Sequence, residues 1–308
     1  MRPFIVIVTF LVSTYGVCQE NSYTAEEISV SKFIDGTLLK PSEDQKSILA
    51  IIIAGSGPTD RDGNQNFLKN DALKKLAESL SNMGIATFRY DKRIVKQIRK
   101  GKVDPNIMFD DFVNDAEDVI SYFKANDSFK KIYVIGHSQG SLVGMLAAKK
   151  QADGFISIAG AGQNIGDVIV EQVATMDPKL GKEAQGVVDR LKKGERTTDY
   201  PQALASVFNI DIQAFMMNWM QYDPAEVLKD LNMPILIVNG TKDLQVTEQE
   251  AQLLKASNDN AELMIIENMN HVLFEIKGDD LENSKSYNEA FRPIATELTE
   301  SIIGFIDS

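Results

Sequence analysis

Short apolar runs alternate with stretches of helical spacing along most of the chain. Ser47 to Ala54 (SILAIIIA) is a continuous run stopped by Gly55, the pattern of a strand buried on both faces. Ile85 to Tyr90, Lys131 to Ile135, Gly154 to Ala159, Pro234 to Val238 and Glu262 to Ile266 read the same way. Asp71 to Met83 has helical spacing at Leu73, Leu76, Ala77 and Leu80, and Asp110 to Lys124 at Phe112, Ala116, Val119 and Phe123. Ser138 to Lys150 and about Asn288 to Ile306 also read as helix. Ile28 to Phe33 alternates, Asp35-Gly36 signals a turn and Thr37 to Leu39 resumes, which predicts a hairpin. Asn21 to Glu27 reads as a loose lead-in.

Strands alternating with helices predict an α/β fold. Its central sheet is mostly parallel, covered by helices on both faces, with antiparallel strands at one edge. Residues 161–231 break the alternation. They are rich in helix formers and carry Phe208, Phe215, Met216, Met217, Trp219 and Met220. This stretch is expected to be a helical cap inserted between two sheet strands. Phe215, Met216 and Trp219 are candidates for an apolar substrate pocket; ordinary packing of the cap is the plainer alternative.

The start of the chain has a different pattern. Arg2 precedes Phe4 to Val12, apolar except for Thr9. A membrane span needs about 20 apolar residues, so this run suits a secretory signal over residues 1–19, with the α/β domain in 20–308. The expected location is periplasmic or extracellular, without a membrane span. Cys18 is the only cysteine, and lipid attachment through it is the alternative. The remainder can hold neither a disulfide nor a thiolate-bound metal. The net charge of −12 repels phosphate backbones and argues against nucleic-acid partners.

The candidate chemistry sits between a strand and a helix. Gly136-His137-Ser138-Gln139-Gly140 follows the strand KIYVI and is a G-x-S-x-G motif in a strand–turn–helix context. Glycines let the turn close, and the serine hydroxyl then stands above the sheet. A serine nucleophile needs a base, and the chain has two histidines. His137 is adjacent to the serine and points into the turn, which leaves His271 as the base. Asp243, in NGTKDLQV after the strand PILIV, is the favoured acid; Glu267, Glu275 and Asp223 are rivals. The order Ser138, Asp243, His271 is that of α/β-hydrolases. The backbone N–H groups of Ser56, after the first buried strand, and of Gln139 are candidates for the oxyanion hole.

With these residues the chain resembles the α/β-hydrolase superfamily. The segments AGSGPTDRDGN (54–64) and FRYDKR (88–93) are similar to the branch of serine aminopeptidase-like, S33-type hydrolases and small esterases. The resemblance covers about residues 28–306. Ala54 stands where many members have histidine, and Ile94-Val95-Lys96 where relatives usually have glycine, so a remodelled loop is expected there. Asp60, Arg61 and Asp62 are expected to form a structural polar loop, with substrate orientation as the alternative.

These observations predict a secreted serine hydrolase that cleaves carboxylic esters through an acyl-enzyme, requiring neither a metal nor an organic cofactor. Its substrate is a small-molecule ester or a short peptide. The alternatives are an aminopeptidase with the same triad, a thioesterase and a non-catalytic binding module. The aminopeptidase would capture an amino terminus through acids such as Glu171, Asp177 or Glu183.

Overall fold

The apolar runs become one eight-stranded sheet in the computed structural model, which describes residues 22–42, 47–149 and 151–308. The strands are β1 (Tyr23–Ser29), β2 (Asp35–Pro41), β3 (Ile48–Ile53), β4 (Ala86–Tyr90), β5 (Lys131–His137), β6 (Gly154–Ile158), β7 (Ile235–Gly240) and β8 (Ala261–Ile266). Their order across the sheet is β1-β2-β4-β3-β5-β6-β7-β8. β1, β2 and β4 pair antiparallel, and every other neighbouring pair is parallel. β1 forms one border and is largely exposed.

The helices are α1 (Ala72–Asn82), α2 (Arg93–Arg99), α3 (Phe109–Ala125), α4 (Gln139–Ala148), α5 (Ile165–Met176), α6 (Pro178–Lys192), α7 (Ala205–Phe208), α8 (Gln213–Trp219), α9 (Pro224–Lys229), α10 (Glu248–Ser257), α11 (Asp280–Ser286) and α12 (Thr296–Asp307). Successive side chains of β3 feed opposite layers. Leu49, Ile51 and Ile53 pack with Phe112 and Val119 of α3 and Leu142 of α4. Ile48, Ala50 and Ile52 pack with Leu73 and Leu76 of α1 and Leu298 and Ile302 of α12. Both faces are covered, so the strand runs show no polar alternation.

Helices α5 to α9 form the cap between β6 and β7. It has its own small core, built from Val187, Val188, Leu191, Leu204, Phe208 and Met216. Two of its helices begin with Asp-Pro. Asp177 accepts from the amides of Lys179 and Leu180, and Asp223 from those of Ala225 and Glu226. A carboxylate cap followed by proline at the first helical position satisfies orphan donors and presets the backbone. The cap rests on α3 through a stack of Trp219 on Phe109, 5.4 Å between ring centres and 4° from parallel. Asn218 and Tyr222 donate to the Asp110 carboxylate beside it.

Several expectations change. The lead-in is strand from Tyr23, because pairing with β2 satisfies its backbone. The residues after Asp91-Lys92, expected as a remodelled loop, form the helix α2. The terminal helix starts at Thr296, not near Asn288. Pro293 lacks an N–H and disfavours helix in the residue before it, and Ile294 instead bridges to Phe274. Residues 1–19 and Cys18 lie outside the described residues. Among the described residues no helix is long and apolar enough to cross a membrane.

Candidate active site

The turn after β5 is set by backbone contact. Ser138 has φ 55° and ψ −123°, a conformation that non-glycine residues rarely adopt and that costs of order 1–3 kcal/mol. Its neighbours leave no other path. A Cβ on Gly136 would lie 2.3 Å from the Gly140 carbonyl oxygen, and one on Gly140 would lie 2.4 Å from that of Ile53. The Ser138 N–H donates to Ile158 O (2.9 Å), and its carbonyl accepts from Ser141 N (2.8 Å), which pins the turn to β6 and to α4. The half-buried serine opens onto a cavity that it shares with His271. Its hydroxyl makes no hydrogen bond among the described residues; such contacts commonly tighten only with substrate.

His271 is buried, and its Nδ1 lies 2.8 Å from Asp243 Oδ2. The other carboxylate oxygen of Asp243 accepts from the amides of Gln245 (2.8 Å) and Val246 (2.9 Å). The acid is thereby fixed by its own loop. An ionised carboxylate can only accept, so it places the proton on Nδ1 and leaves Nε2 for the serine. The three rival acids are elsewhere. Glu267 and Glu275 are exposed, and Asp223 caps α9.

His137 has a definite partner: its Nε2 lies 2.8 Å from the main-chain oxygen of His271. A carbonyl only accepts, so His137 carries its proton on Nε2. Burial, and then the neighbouring His271, push its pKa down to about 4, which keeps the ring neutral. His137 thus buttresses the loop carrying His271.

Ser56 and Gln139 flank Ser138 at one lobe of the cavity. Gln139 is the first residue of α4, so its N–H has no partner within the helix. The Ser56 carbonyl accepts from Thr59 Oγ1 (2.6 Å) and Gln65 Nε2 (3.0 Å). Beneath them is a residue to which the sequence reading gave no role. Lys92 is 6% exposed, and its Nζ donates to Gly55 O (2.9 Å) and Gln139 Oε1 (2.8 Å). It also lies 4.4 Å from the centre of the Phe112 ring. Desolvation pulls its pKa down to about 7. The only available signal was its place in FRYDKR, directly after a buried strand.

The cavity has two lobes that meet at Ser138, Ser56 and Gln245. One, of about 110 Å³, is bounded by His271, Leu73, Asn70 and Tyr287. The other, of about 170 Å³, lies under the cap and is bounded by Gln139, Leu142, Val168 and Trp219. Among the described residues no aspartate or glutamate lines either lobe. Of the three pocket candidates Trp219 lines the second lobe, while Phe215 packs on Phe109 and Phe112 and Met216 sits in the cap core. Glu171, Asp177 and Glu183 are all exposed. Arg61 donates through its N–H and its guanidinium to Asp91, and Arg89 to Asp62, so the 60–62 loop is braced to the sheet.

Residues 70–276 match the family model described as serine aminopeptidase, S33. Esterase EstD of Thermotoga maritima is 26% identical over 269 residues, which are 83% of this chain and 62% of that protein. The chain therefore spans less than two thirds of that relative's length. Est1E from Butyrivibrio proteoclasticus superposes with a TM-score of 0.56 at 17% identity, over 92% of this chain and 99% of that one. A bromoperoxidase from Bacillus anthracis gives 0.53 at 14% identity, over 92% and 100%. At these identities the solved structures share the α/β-hydrolase fold.

Proposed function

The chain belongs to the S33 serine aminopeptidase family, and on that premise we propose that it hydrolyses small carboxylic esters through Ser138, His271 and Asp243. Ser138 Oγ attacks the acyl carbon while His271 Nε2 takes its proton. Asp243 holds the imidazole and offsets the charge it gains. The N–H groups of Ser56 and Gln139 receive the negative charge that forms on the carbonyl oxygen. The imidazolium then protonates the departing alcohol. Water, deprotonated by the same ring, then attacks the acyl carbon, and the imidazolium returns the proton to Ser138 Oγ as the acid leaves.

The observation that carries this reading is the hydrogen-bonded His271–Asp243 pair sharing a cavity with a serine on a strained turn. The lobes suggest which ends of the substrate they hold. The leaving alcohol must be reached by His271, so it occupies the smaller lobe. The acyl group occupies the lobe beside Gln139 and Trp219. Both are small against the roughly 300–1,000 Å³ of drug-sized sites, which favours short acyl chains. Neutral linings also favour an ester over a peptide with a free amino terminus, whose ammonium group calls for a carboxylate partner.

The test compares an aryl butyrate with an amino-acyl anilide, using Ser138→Ala as control. We expect the ester to be the better substrate and kcat to fall roughly 10⁴- to 10⁶-fold in the variant. A preference for the anilide would favour the aminopeptidase reading, and an active Ser138→Ala protein would overturn the mechanism.

A further inference from the structure

Lys92 is a buried cation beside the site that the mechanism above does not use. The described ion pairs give Lys92 no carboxylate partner, although burying an ammonium group is costly. Its ligands are a main-chain carbonyl and a side-chain amide, Gly55 O and Gln139 Oε1. These belong to the two segments that supply the oxyanion donors. Gly55 C=O and Ser56 N–H are moreover the two ends of one peptide unit. A peptide is planar and nearly always trans, so its C=O and N–H point in opposite directions. Holding the carbonyl against Lys92 therefore aims the Ser56 N–H away from Lys92.

We propose that Lys92 is a positioning residue that locks the Gly55–Ser56 peptide in the orientation needed for an oxyanion hole and ties it to the start of α4. This rests on the hydrolase reading above. The loop provides little other restraint on that peptide. Thr59 and Gln65 hold the next carbonyl, that of Ser56, and Gly57 has φ 74°, so the chain between glycines could rotate at low cost. A donor to the carbonyl also polarises the N–H at the other end of the same unit. The lowered pKa of Lys92 fits this use, because a neutral amine still has two protons for its two acceptors. The face of the Phe112 ring also lies against the Nζ, 4.4 Å from its centre.

The experiment measures kcat, KM and Tm for Lys92→Met with an aryl butyrate, beside the wild type. Methionine keeps the length and removes the donors. A single oxyanion donor is worth about 10²–10³ in kcat, so we expect kcat to drop about 10²-fold with KM within about threefold. Tm should fall by no more than a few degrees, because removing a buried cation offsets part of the cost of leaving Gly55 O and Gln139 Oε1 without their donor. A kcat within about threefold of wild type overturns the proposal. If Lys92→Met does not fold, Lys92→Ala with added ethylamine decides. A tenfold or greater recovery of kcat supports the proposal, and no recovery overturns it. A wild type that neither cleaves the ester nor reacts with a fluorophosphonate at Ser138 removes the hydrolase reading itself, a result distinct from an active wild type matched by an equally active variant.

Discussion

The two sides of the cavity are held in different ways. At the turn around Ser138 the constraint is main chain against main chain, with hypothetical Cβ atoms 2.3–2.4 Å from carbonyl oxygens. On the cap side every constraint runs through a side chain: Trp219 stacked on Phe109, Asn164 Nδ2 donating to Met220 O (2.7 Å), and Glu250 receiving the Gly162 amide (2.7 Å). Backbone contacts permit almost no alternative residue. Side-chain contacts permit any group of suitable size and polarity. Ser138 is therefore carried by a part of the molecule with little freedom to vary, and the lobe assigned to the acyl group is bounded by a part with more.

Substitutions on each side sharpen this contrast. Adding one methyl group in Gly140→Ala drives a carbon into the Ile53 carbonyl. A misplacement of about 1 Å costs roughly 10²-fold in rate, and we expect kcat/KM for an aryl butyrate to fall at least that far. A variant within a few-fold of wild type would show that the turn tolerates a Cβ at this position. On the cap side Glu250→Ala leaves the Gly162 N–H without its acceptor, as well as that of Gln163. Unsatisfied buried donors cost about 1–3 kcal/mol. That corresponds to a Tm lower by roughly 2–10 °C, measurable by calorimetry, with activity retained below the transition. Smallest is Trp219→Leu, which enlarges the acyl lobe. We expect the ratio of hexanoate to butyrate kcat/KM to rise a few-fold, and an unchanged ratio would move the acyl group out of that lobe.

The same contrast decides what could be read from the sequence. G-x-S-x-G after a strand was legible because steric exclusion writes glycine at fixed positions. Asp243 and His271 were legible because they follow β7 and β8, at the carboxyl ends of parallel strands where such groups collect. Phe215 and Met216 are ambiguous in the sequence because helical apolar positions look alike whether they face a substrate, α3 or the cap's own core; here they pack on α3 and in the cap core. Lys92 went unassigned because its partners, Gly55 and Gln139, are distant in sequence and one of them is a carbonyl. Helices α2 and α10 were missed for another reason. Few of their residues are buried, Val95 in α2 and Glu250, Ala251 and Leu254 in α10, so neither writes a long apolar stripe.

The exposed outer ribbon β1 has a consequence for the molecule among its copies. A border strand offers a row of unpaired amides and carbonyls that can template the addition of another chain. Here the strand's charges are matched within the hairpin and the adjoining loop, Glu26 by Lys40 and Glu27 by Arg61. A second copy pairing along this border would meet salt-bridged side chains rather than an apolar strip, and charged side chains on an edge strand resist such pairing. The hairpin thus gives the sheet a margin that discourages growth into fibres, on the side farthest from β8.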